Sequence, residues 1–142
     1  MENNVINKFN NSVYKESNSE LINLNTEIIK KIKHNILKKL CLSRDELKVF
    51  HSKLDNYRFI DECHELKYGT YIRYIKLTDP TNIKLSNGGL VCDISIVNDG
   101  VLIKCKNNIN RFFSIKMNEC LIFQKITEEE RLLLMVLDYI KK

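Results

Sequence analysis

Apolar residues recur at Leu21, Leu24, Ile28, Ile32, Ile36 and Leu40, with Ile29 and Leu37 widening the stripe. This spacing predicts an amphipathic helix from Ser19 to about Cys41. The other side holds Lys30, Lys31, Lys33, Lys38 and Lys39, which reads as a solvated face with cations gathered toward the helix C-terminus, where the dipole favours them. Ser43-Arg44-Asp45-Glu46 is a capping box, in which the Ser hydroxyl accepts from the Glu46 amide and the Glu46 carboxylate reaches back. It predicts a second helix with Leu47, Phe50 and Leu54 inward, fraying near Asp55-Asn56 into an irregular segment from Tyr57 to His64. Thr127 to Glu130 is a second capping box, and the helix it opens is apolar on most sides through Ile140. A helix apolar all round must be covered on more than one face. It therefore packs between the β-region and the N-terminal helices, or it also meets a protein partner or a second copy through Leu134, Met135 and Tyr139.

Between Leu66 and Ile126 the period changes. This stretch contains all four glycines and the only proline and reads as five short strands divided by turns. A two-residue loop at Asp99-Gly100 would pair Ile94 with Cys105 and Ile96 with Ile103 on one apolar side, and Asp93 with Lys106 and Ser95 with Lys104 on the other. Keeping Phe113 and Ile115 inward on the next strand requires a three-residue loop, Asn108-Ile109-Asn110, with an Asn in the left-handed position. Cys105 then faces Phe113 and Ile103 faces Ile115, while Lys104 meets Ser114 and Lys106 meets Phe112 outside. Thr70 to Leu77 is apolar on both parities and predicts a central or sharply curved strand. The fold class expected is α+β: a small five-stranded antiparallel β-barrel, SH3-like or OB-like, with N-terminal helices and a C-terminal helix.

The 142 residues suit one domain. Residues 1–18 are Asn-rich and read as a flexible tail, 19–65 as the helical segment, and 66–142 as the β-barrel-like part with its helix; 19–142 forms one compact unit. Five widely spaced cysteines without a C-x-x-C pair indicate neither a disulfide framework nor a zinc ribbon, which fits a reducing, intracellular location. No run approaches the roughly 18 apolar residues of a membrane span. Residues 67–126 carry 9 basic and 4 acidic side chains, whereas 1–66 carry 11 and 10, so the excess positive charge lies on the β-region. Lys, Asn and Ile number 18, 17 and 18, which AT-rich coding alone produces, so the placement of the lysines informs more than their count.

Signatures of acyl transfer, phosphoryl transfer, dinucleotide binding and zinc proteolysis are absent. Gly88-Gly89 precedes a strand and lacks a following Lys-Ser/Thr, unlike a phosphate-cradling loop. Cys63 and His64 are adjacent, and on a strand would point to opposite faces. His51, His64 and Cys63 lack metal-ligand spacing. No cofactor, metal or catalytic group is expected. The chain reads as a non-enzymatic binding module. Its partner is RNA or DNA, with Arg73, Lys76, Lys104, Lys106, Arg111 and Lys116 as phosphate contacts and Phe112 as a stacking surface. The alternative is a protein-interaction or assembly component using the C-terminal helix.

The strings Leu66-Lys67-Tyr68-Gly69-Thr70-Tyr71-Ile72-Arg73-Tyr74-Ile75, Asn87-Gly88-Gly89-Leu90-Val91, Arg111-Phe112-Phe113 and Leu121-Ile122-Phe123-Gln124-Lys125 resemble small uncharacterised proteins of giant nucleocytoplasmic DNA viruses over about residues 66–140. The Lys/Asn/Ile excess agrees with their AT-rich genomes. The resemblance implies a cytoplasmic viral factory or virion as location, and no established activity or site residues.

Overall fold

A computed structural model describes residues 24–141. The tail expected over 1–18, and the helix start expected at Ser19, lie outside them. Helix α1 spans Thr26–Lys38 and is capped twice. The Asn25 side chain accepts from the Ile28 amide at 2.8 Å. Asp138, from the far end of the chain, accepts from the Thr26 amide and hydroxyl at 2.9 and 2.6 Å. These acceptors satisfy amides that the helix itself leaves unpaired.

The buried stripe of α1 is Ile29, Lys33 and Leu37, about one residue round from the expected one, and Ile32 remains 38% exposed. Lys33 turns the helix. Its Nζ donates to the carbonyls of Leu54 at 2.7 Å, Asp55 at 3.4 Å and Tyr57 at 2.9 Å. Those carbonyls follow the end of α2 (Arg44–Lys53), so the ammonium caps a helix C-terminus from another helix. Burial lowers the Lys33 pKa, with the Asp55 carboxylate opposing. The reading of Lys33 as part of a solvated face is thus corrected. Helix α2 starts at the expected box, with Ser43 Oγ and the Glu46 carboxylate exchanging 3.2 Å bonds with each other's amides.

The strands are β1 (Tyr57–Ile60), β2 (Tyr71–Lys76), β3 (Gly89–Val97), β4 (Gly100–Lys106), β5 (Phe112–Lys116) and β6 (Cys120–Lys125). They form one antiparallel sheet in the order β1-β6-β2-β3-β4-β5. The expected five-stranded closed barrel, SH3-like or OB-like, is corrected on both counts. Among the described residues there are six strands, and the sheet is open, with β1 and β5 as its two edges. The added strand is β1, from the segment expected to be irregular. Its alternation is hidden because an inward position is held by Arg58, which is only 2% exposed.

The sheet is open but bent. Strands β5 and β6 are four places apart, roughly 19 Å on a flat sheet, yet only the single 3-10 turn Met117–Glu119 joins them. At ~3.3–3.6 Å per residue that link cannot span a flat sheet. Bending makes the concave face a core of its own: Ile60, Leu66, Ile72, Val91, Ile103, Cys105, Ile115 and Ile122. On the convex face α1 and α2 cover β1, β6 and β2, where Leu37, Phe50, Leu54, Ile75 and Phe123 cluster. Full burial of a side chain such as Phe123 contributes about 1.5–3 kcal/mol. Strand β2 is therefore buried on both faces, as its two-sided apolar pattern predicts. Helix α3 (Glu128–Lys141) opens with the expected box, Glu130 amide to Thr127 Oγ1 at 3.1 Å and Thr127 amide to Glu130 Oε1 at 2.9 Å. It packs Leu134 against Ile29 of α1.

The β4–β5 register agrees pair for pair with the expected one: Ile103 with Ile115, Lys104 with Ser114, Cys105 with Phe113, Lys106 with Phe112. Asn110 takes the left-handed φ of 62°. The β3–β4 register differs. The tip is Asn98-Asp99, Val97 faces Gly100, Ile94 faces Ile103 and Ile96 faces Val101, and a bulge between Val91 and Asp93 restores Val91 opposite Cys105. The extra residue switches parity, so Val91 and Ile94 both pack inward. Ile96, expected inside, is 84% exposed at the tip. Gly100 (φ 145°) permits the tip to touch Asn118, whose Oδ1 would lie 2.6 Å from a Cβ there.

Burial pushes the Cys105 thiol up to about 12 and the Cys120 thiol up to about 11. Their neutral forms therefore belong to the folded state. An unfolded thiol ionises near 8.5, so this contribution is complete below that pH and is lost as pH rises toward the folded values. Urea denaturation at pH 8, 9 and 10 should show the wild type losing stability relative to Cys105→Ala by about 1.4 kcal/mol per pH unit above 9. Parallel pH profiles would refute the assignment.

Candidate nucleic-acid interface

The strand register places one row of side chains across the whole convex face. Tyr57 faces Lys125. Tyr71 lies one step beyond the Ile72–Gln124 pair, beside Lys125, and itself faces Leu90. Leu90 faces Lys106, and Lys106 faces Phe112. Directly opposed residues share a face. The row from edge to edge is therefore Tyr57, Lys125, Tyr71, Leu90, Lys106 and Phe112, about 24 Å long when followed along the curved sheet at normal strand spacing. Three aromatic rings alternate with two ammonium groups and one leucine.

Tyr57 packs against the cluster beneath α1 and α2, and among the described residues these helices leave the rest of the row uncovered. Leu90 is 42% and Phe112 59% exposed, and Lys125 is exposed as well. The β1 half of the row is the floor of an open cleft of about 750 Å³, walled by Asn56, Gly69, Thr70 and Arg131. Tyr71 donates its hydroxyl to the Asn87 carbonyl at 2.8 Å, which fixes its ring against the loop before β3. Burial raises the Tyr57 pKa against the opposing effect of Arg73, so the phenol stays neutral. Arg131 reaches Asn56 Oδ1 at 3.4 Å and lies 3.9 Å from Glu128.

At the β5 edge the ammonium groups of Lys104 and Lys106 stand 4.8 and 5.9 Å from the centroid of the Phe112 ring. The geometry is that of a cation–π pair at each lysine. Asp93 faces Lys104 across the strands and tempers its charge.

Of the seven residues expected to bind, Lys104, Lys106 and Phe112 stand together, and exposed Arg111 follows in the turn, its amide donating to Asn107 Oδ1 at 2.9 Å. Lys116 shares the face but is engaged by Asp99 at the hairpin tip. Arg73 is half-buried, and its Nε donates to the Ser86 carbonyl at 2.9 Å, holding the loop before β3 to the sheet. Lys76 belongs to the other parity of β2 and borders a separate hollow with Asp79 and Lys84. Arg73 and Lys76 are thus outside the group.

The sequence does not show Tyr57, Tyr71 and Lys125 as neighbours, because only the insertion of β6 between β1 and β2 brings them into one row, and Arg131 joins them from α3 as a wall of the cleft. His51, weighed as a metal ligand, meets His34 instead, with Nδ1 of His34 and Nε2 of His51 3.0 Å apart.

Of the helix residues proposed for a protein contact, Met135 and Tyr139 are 63% and 78% exposed, but Leu134 is 5% exposed and belongs to the core. Among the described residues no helix is long and apolar enough to cross a membrane. Comparison with protein-family models, curated proteins and solved structures found no match to this chain.

Proposed function

We propose that the protein is a non-enzymatic module that binds single-stranded nucleic acid across the row from Tyr57 to Phe112. The observation that carries this reading is that three aromatic and two cationic side chains share one row of the sheet, in which Leu90, Phe112 and Lys125 are exposed. Bases stack on flat side chains at about 1–3 kcal/mol each, and ammonium groups between them neutralise the phosphates that follow at each step. Such a surface tolerates any base, because every base has a π-face. It favours single strands, whose bases are free to splay onto a sheet.

The test is fluorescence anisotropy with labelled single-stranded and double-stranded oligonucleotides at 50 and 200 mM salt. Single strands should bind more tightly, and binding should weaken with salt, each phosphate contact adding about 0.7 to the log–log slope. Replacing Lys104 and Lys106 by Glu should abolish binding at 200 mM salt. Phe112→Ala should weaken it about tenfold with the salt slope unchanged, because stacking releases no counterions. Equal behaviour of wild type and the double Glu variant would refute the reading.

A further inference from the structure

Among the described residues, helix α3 is covered on one side only. Leu134 packs on Ile29, and Asp138 caps α1. The outward side presents Leu132, Met135, Val136, Tyr139 and Ile140, each between 55% and 78% exposed. Their spacing of three and four residues makes one continuous stripe over the last three turns of the helix. The exposed area is about 600 Å², at the upper end of what a monomer leaves uncovered.

We propose that a second copy of this chain covers the stripe, the two α3 helices packing antiparallel about a two-fold axis near Met135 and Val136. Three features select this occupant. Full cover of the stripe on both copies would bury about 1,200 Å², which meets the lower limit for a specific interface. The stripe complements itself, since an antiparallel pair sets Leu132 of one copy against Tyr139 of the other, and Met135 against Val136. Helix α3 opens with Glu128 and Glu129 and closes with Lys141. Antiparallel pairing joins opposite charges, whereas parallel pairing would join like ones. The inference is independent of nucleic-acid binding, because the stripe includes no residue of the Tyr57–Phe112 row.

Sedimentation velocity of the full chain from 5 to 100 µM should give twice the chain mass of 16.8 kDa. Met135→Glu combined with Tyr139→Glu should give a monomer with an unchanged circular dichroism spectrum, since both side chains are exposed. Oxidised Val136→Cys should cross-link across the axis and Leu132→Cys should not, with the wild type as control for exposed Cys41 and Cys92. Lys106→Glu should leave the dimer intact. A wild-type monomer at 100 µM, or a dimer that survives the double variant, would overturn the proposal. So would a monomer whose stripe instead carries the protein onto vesicles of phosphatidylcholine with one-fifth phosphatidylserine.

Discussion

Glu130→Gln is expected to cost about 3–5 kcal/mol of folding stability. Glu130 is 1% exposed. Its Oε2 lies 2.9 Å from Lys67 Nζ and 3.5 Å from Arg58 Nη2, while Oε1 accepts from the Thr127 amide. Arg58, itself 2% exposed, also meets Glu65 at 3.2 Å. One carboxylate thus closes the first turn of α3 and balances charge buried beneath β1. Glutamine keeps the shape and the cap acceptor, but it removes the charge and turns an amide donor toward Lys67 and Arg58 where Oε2 stood. Thr127→Ala is the control, since it weakens the cap alone at about 1 kcal/mol. Urea denaturation at pH 7 measures both. Adding Arg58→Met to Glu130→Gln should recover part of the loss, because the buried cation then left with Glu65 alone to balance it is gone. A Glu130→Gln cost no greater than that of Thr127→Ala would mean that the ion pair contributes nothing beyond the cap.

Gly88→Ala should be at least as damaging, on the order of 4 kcal/mol or more. Gly88 has φ 76°, and a Cβ there would sit 1.8 Å from the Ile72 carbonyl oxygen, 2.8 Å from its carbon and 3.0 Å from Arg73 Cα. All three are backbone atoms of a strand buried on both faces, so none can turn aside. Relief requires β2 and β3 to part where Tyr71 pairs with Leu90, the joint between the two halves of the binding row. Oligonucleotide affinity should therefore fall with stability. Gly69→Ala isolates the backbone component, since Gly69 has φ 77° but nothing within 4 Å of its Cβ position, and it should cost only about 1–2 kcal/mol. Thermal melts of the two variants that coincide would refute the steric account.

Local chemistry was the most legible part of this chain. Both capping boxes form as their four-residue strings require, and the β4–β5 hairpin follows from loop length plus the need to keep Phe113 and Ile115 inward. The errors fall where a polar group is buried by distant partners. Lys33 looks solvated in the sequence because its acceptors come from residues 54–57, and β1 is hidden there because Arg58 is balanced by Glu65 and Glu130. The bulge in β3 breaks strict alternation and misled the neighbouring register.

The Lys104–Lys106–Phe112 group was readable because it depends on one hairpin. The remainder of the row was not, because Tyr57, Tyr71 and Lys125 lie on strands adjacent in space but separated along the chain. By itself, then, the sequence determined the starts of α2 and α3, the β4–β5 turn, the central place of β2 and the basic aromatic patch on β4 and β5. Each of these rests on interactions within a few residues, or on a period that every strand must obey. Only the tertiary structure decided that the sheet stays open with six strands, that α1 turns to bury Lys33, and that an outward face of α3 is left bare. Those outcomes depend on which surfaces meet after the sheet bends, and pairing at long range leaves no periodic mark on the chain.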